Sequence, residues 1–91
     1  MVRRPVWVSL RLLYGPQPDA PAFCHGEALD LTREVSGLLT GWYRGSDGHW
    51  YGLVDFAVPY LGLVPPVELG LTNQLVPAEA LRPRTYGRYR E

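Results

Sequence analysis

The residue types able to carry chemistry in this chain fall into four small groups. Cys24 and His25 are adjacent, with Glu27 two positions further on: a thiol, an imidazole and a carboxylate, the set that activates a nucleophile. Neighbouring side chains in extended backbone point to opposite faces, so direct activation of Cys24 by His25 is geometrically disfavoured. Cys24 reads instead as a small apolar filler. Ser46, Asp47 and His49 form the second group, but serine and aspartate beside a glycine are turn formers first. One cysteine and two histidines, without C-x-x-C or H-x-x-x-H spacing, do not make a metal site. There is no glycine-rich phosphate loop of either common pattern. No enzyme activity, cofactor, metal or small-molecule substrate is expected.

The third group is aromatic. Between Gly41 and Val54, two strand-prone runs flank Asp47-Gly48, a dipeptide suited to the positive φ angles of a tight hairpin turn. A two-residue loop sets Gly45 opposite Trp50, Tyr43 opposite Gly52 and Gly41 opposite Val54, each glycine beneath a large side chain. Loops of two or four residues give the same two faces. One face carries Leu39, Gly41, Tyr43, Trp50, Gly52, Val54 and Phe56 and is the expected core. The other sets Trp42, Arg44, Tyr51 and Leu53 beside Thr40 and Asp55, a mixture of aromatic residues and arginine characteristic of binding surfaces. These four are the candidate partner-binding residues. The competing reading buries them under a loop spanning residues 58–71.

The fourth group is cationic. All nine basic residues are arginine, which fits a GC-rich coding genome, and they balance nine acids. The balance hides segregation. Arg3, Arg4 and Arg11 open the chain and Arg82, Arg84, Arg88 and Arg90 close it, whereas residues 19–79 hold most of the acids. Arg82, Arg84, Tyr86, Arg88, Tyr89 and Arg90 combine phosphate-binding charge with stacking rings and are the candidate nucleic-acid contacts. The sequence pI of about 6.7 is well below that of dedicated nucleic-acid binders, so a solvated or protein-docking tail is the alternative.

Elements must hold these groups in place. Val6, Val8, Leu10, Leu12 and Tyr14 alternate, which predicts a first strand over residues 6–14. A proline-rich loop follows from Gly15. Residues 27–34 are a loop or one helical turn, and extended structure begins near Val35. The hairpin arms are expected near 37–44 and 49–57. Tyr60–Leu71 is apolar but broken by glycines and prolines, so it reads as an ordered loop with at most a short edge strand. Asn73–Val76 is a last strand, and Pro77–Leu81 fits one helical turn with proline leading.

His49-Trp50-Tyr51-Gly52, followed by Gln74-Leu75-Val76-Pro77-Ala78-Glu79-Ala80-Leu81, resembles the second half of SH3-like small barrels. There an aromatic strand precedes another strand and a short 3₁₀ turn. The resemblance implies a small barrel. His49 and Ala80 stand where peptide-binding members carry groove aromatics, so polyproline binding is not implied.

The expectation is a mainly β protein: a small antiparallel SH3-like barrel or a strongly curved sheet, with a short 3₁₀ or helical turn near its C-terminus. Its 91 residues suit a single domain over 1–81, with a tail over 82–91. The leading function is a non-catalytic protein-interaction module whose partner is another protein or a second copy of itself. The alternative is a nucleic-acid-associated accessory protein. A lone cysteine, no apolar run of membrane-spanning length and no leader-like h-region predict a soluble cytoplasmic protein.

Overall fold

Val6 and Val8 alternate with Trp7 and Ser9 to form the first strand, β1 (Arg4–Ser9). The alternation ends at Ser9, whose side chain accepts the Leu12 N–H at 3.3 Å and caps a five-residue helix, α1 (Leu10–Tyr14). The strand expected over residues 6–14 is therefore cut short. Leucine and arginine favour helix, and a serine acceptor satisfies an N–H that the first helical turn leaves free. Leu10 and Leu13, three apart, turn to the core, while Leu12 is 62% exposed. The computed structural model describes residues 3–15, 28–62 and 66–84.

Three long strands follow: β2 (Glu34–Arg44), β3 (Trp50–Pro59) and β4 (Glu68–Pro77). A 3₁₀ turn at Ala78–Ala80 then leads into β5 (Leu81–Pro83). All five strands pair antiparallel in one sheet of order β4-β3-β2-β1-β5. The protein is mainly β, as expected, in the curved-sheet form and not closed into a barrel: β4 and β5 are the two edges. β4 begins earlier than the expected last strand because Val67, Leu69 and Leu71 alternate well enough to pair with β3. The loop expected over 60–71 shrinks accordingly, with the Tyr60 N–H bonded to Val67 O at 2.9 Å. The sheet also extends past the boundary expected after residue 81. Arg82 pairs with Trp7, Pro83 pairs with Val6, and the Arg84 N–H reaches Pro5 O at 3.2 Å.

The connection from β4 to β5 sets the curvature. Four inter-strand gaps at ~4.8 Å would separate the edges of a flat sheet by roughly 19 Å. Pro77 to Leu81, wound as a 3₁₀ turn at ~2 Å per residue, spans only about 8 Å. The edges can be joined only if the sheet curls. Two bulges contribute, one between Leu39 and Gly41 in β2 and one where β3 meets β4 near Asp55, since bulges bend strands and increase their twist. The concave side holds the core of Val6, Val8, Leu10, Leu39, Val54, Phe56, Val58, Val76 and Ala80. α1 and the 3₁₀ turn pack together across it. Among the described residues no helix is long and apolar enough to cross a membrane.

Candidate functional site

The hairpin turn decides which side chains meet. Gly48 N–H bonds Gly45 O at 3.0 Å, and Gly45 N–H bonds His49 O at 2.8 Å, which closes a loop of three residues, Ser46–Gly48. Gly48 supplies the positive φ, 86°, that such a loop needs at its third position. Asp47 Oδ1 accepts the His49 N–H at 2.9 Å and Oδ2 accepts the Tyr51 hydroxyl at 2.5 Å. These bonds, Tyr51 first, hold the Asp47 carboxyl below its ordinary pKa, and the same contact raises that of Tyr51. Ser46, Asp47 and His49 thus serve the turn.

An odd loop reverses the parity that loops of two or four residues share. The pairs are Arg44 with Trp50, Tyr43 with Tyr51, Trp42 with Gly52 and Gly41 with Leu53. Thr40 is then the extra residue of a bulge, its hydroxyl donating to Leu53 O at 3.2 Å, and Leu39 returns to its place opposite Val54. The expected core face survives at Leu39, Gly52, Val54 and Phe56, all buried. It fails at Tyr43 and Trp50, which are 54% and 48% exposed. The expected patch is also divided. Trp42 and Arg44 lie on the concave face with Trp50, whereas Tyr51 and Leu53 lie on the convex face with Tyr43. Arg44 stacks over the Trp50 ring at 5.1 Å and donates to Gly48 O at 3.2 Å. The described residues of the 58–71 segment cover none of the four and lie at the far end of β3, beside Ala28 and Leu29.

Trp42 stands at the open end of the concave face, 48% exposed. A Cβ on Gly52 would lie 2.6 Å from Leu39 Cδ1, 2.8 Å from Leu81 Cδ1 and 3.5 Å from Trp42 Cζ3, so the glycine lets these three side chains close over β3. Together with Val6 and the prolines Pro5 and Pro83, they line a groove of about 410 Å³ rimmed by Arg4, Arg82 and Arg84. A second hollow of about 310 Å³ adjoins it, lined by Arg4, Leu39, Thr40, Gly41 and Trp42. Trp42 is a wall of both. Sequence reasoning located Trp42 but not the other walls, which come from β1, β2 and β5. The one local signal was Gly52, a glycine inside an aromatic strand, which marks close approach.

The candidate nucleic-acid contacts are described only in part. Arg82 makes a two-pronged ion pair with Glu34 at 2.9 and 2.6 Å. This pairing lowers the pKa of Glu34 and raises that of Arg82. Arg82 and Arg84 also stack over Trp7, at 5.8 and 5.6 Å from the ring centre. Tyr86, Arg88, Tyr89 and Arg90 lie outside the described residues, as do Cys24, His25 and Glu27. Among the described residues, no three His, Cys, Asp or Glu side chains converge as a metal site would require. Compared with known protein families, curated proteins and solved structures, the chain matches none.

Proposed function

We infer that this protein is a non-catalytic protein-interaction module. Its groove beside Trp42 takes an extended peptide that carries an apolar side chain next to a carboxylate. The observation behind this reading is a half-exposed tryptophan forming the wall of an apolar groove at an end of the sheet that no described residue covers. Aromatic residues and arginine dominate binding energy where a pocket admits an anchoring side chain. Leu39, Leu81 and Val6 offer such a pocket an apolar floor. The rim supplies the charge: Arg4 is exposed and joins no ion pair among the described residues. Arg82 is already engaged by Glu34, which favours Arg4 as the carboxylate contact. The SH3-like resemblance belongs to the same reading, since His49–Gly52 leads into β3 and Gln74–Leu81 spans the end of β4 and the 3₁₀ turn.

Selection from a displayed random-peptide library tests the reading. Enriched peptides should place an apolar residue beside Asp or Glu and should quench tryptophan fluorescence on binding. Truncating an aromatic hot spot costs at least about 2 kcal/mol, roughly thirtyfold in affinity. Trp42→Ala should therefore abolish capture, and Arg4→Glu should weaken it, in proteins that still unfold cooperatively. Peptides that bind Trp42→Ala as well as the wild type would overturn the assignment.

A further inference from the structure

Among the described residues the outer edge of β4 is the longest unpaired edge of the sheet, and we propose that two copies of the chain join there, β4 against β4, about a two-fold axis at Gly70. Backbone chemistry defines the edge. Pro59 has no N–H and faces Glu68, so that pair cannot exchange hydrogen bonds. The Tyr60 N–H bonded to Val67 O at 2.9 Å agrees with this phase. Antiparallel ladders alternate, so Val67, Leu69 and Leu71 direct their backbone groups to β3. Glu68, Gly70 and Thr72 direct theirs outward, away from the sheet. The regular stretch ends at Asn73, where a φ of 54° and a bulge bend the strand and its N–H turns to Asp55 Oδ1 at 2.8 Å.

The side chains identify the occupant as a second copy. An axis at Gly70 sets Gly70 against its own equivalent, Glu68 against Thr72, and Leu69 against Leu71. Glu68 is the only charged residue of the strand, and in this register it meets a hydroxyl and not another acid. The chain as a whole carries a formal net charge of zero, so two copies do not repel. Leu69, 40% exposed, and Leu71 border an apolar hollow of about 260 Å³ with Tyr14, Leu29, Leu31 and Val58. Pairing in this register brings two leucines from each copy together beside that hollow. Edge strands usually carry charges or prolines that discourage such pairing, and residues 69–72 carry neither. An isologous contact of this kind closes as a dimer.

Gly70 provides the test. A Cβ there would meet nothing within 4 Å, and its φ lies outside the left-handed region, so the monomer accepts a side chain. Gly70→Lys sets two ammonium groups face to face across the axis, and Gly70→Glu sets two carboxylates. Sedimentation over a concentration series reaching millimolar should show wild-type dimers, each variant alone weakened several-fold, and an equimolar mixture of the two variants restored. In the wild type, exchange of the Glu68, Gly70 and Thr72 amides should slow as concentration rises, a readout independent of how the variants fold. A wild type that stays monomeric overturns the proposal, and so does one that stays monomeric while an added extended peptide protects those amides. Variants that associate like the wild type, or a mixture that does not recover, also overturn it.

Discussion

Excising Thr40 tests how the hairpin assigns its faces. Leu39 faces Val54 and Gly41 faces Leu53, with Thr40 the one residue of β2 left over between them. Without it, Leu39 and Gly41 become consecutive against consecutive partners, and every observed pair is kept. The Thr40 hydroxyl bond to Leu53 O is lost, at about 1 kcal/mol. One residue fewer is ordered on folding, which returns about 1–2 kcal/mol. The net change should stay within about 1 kcal/mol, a shift of less than about 8 °C in Tm for a domain of this size. Excising Leu38 is the contrasting perturbation. Strand length is then restored only by drawing Thr40 into the ladder opposite Val54, which turns the buried Leu39 outward. Losing a buried leucine from a core costs about 2–5 kcal/mol, and each kcal/mol moves Tm by about 4–8 °C. Thermal and urea unfolding followed by circular dichroism read both variants. Equal losses, or a greater loss on removing Thr40, would refute the parity argument.

Two further outcomes follow from the same contacts. Gly37→Ala should destabilise by about 1–3 kcal/mol in urea unfolding, because its Cβ would lie 2.9 Å from Val54 Cγ1 and 3.0 Å from the Asp55 carbonyl, which as backbone cannot step aside. Gly70→Ala, with open space at its Cβ, is the neutral comparison. Acid should destabilise the fold in a defined window. Hydrogen bonds from Arg82, Thr32 and Tyr51 respectively hold the Glu34, Asp30 and Asp47 carboxyls below their ordinary pKa values. A carboxyl whose pKa is lower when folded contributes fully above its unfolded pKa, and that contribution disappears as pH falls through the folded one. Tm should therefore decline as pH drops below about 4, and less steeply in Glu34→Gln. A wild-type Tm that stays level across that range would contradict the assignment.

Much of the fold was legible because it rests on local rules. Alternation marked Val6 and Val8 as one face of a first strand, and Leu39, Val54 and Phe56 as core. Asp47-Gly48 marked the turn, and Pro77 marked the start of the 3₁₀ turn. Errors arose where one residue changes parity. A loop of three residues and a bulge at Thr40 each shift the count by one, and the two shifts cancel at Leu39 but not at Trp42 or Tyr43; Trp50 keeps its expected face and is exposed beside the turn, 48% accessible. The first strand was read on through Tyr14 because the role of Ser9 as a helix cap depends on an N–H three residues ahead. Glu68–Leu71 was read as loop with at most a short edge strand because its glycine and neighbouring prolines outweighed its leucines until β3 supplied a partner.

Composition and periodicity alone therefore determined that this chain is a small, mainly β protein built around an aromatic hairpin, because the alternation of strand side chains is a property of the local backbone. Only the tertiary structure decided which aromatics share a face. That choice depends on pairing between residues distant in sequence, where a single extra residue moves a side chain from core to surface. The same long-range pairing places Trp42 against Leu39, Leu81 and Arg4, since those residues meet only when β5 returns to β1 and the sheet curls.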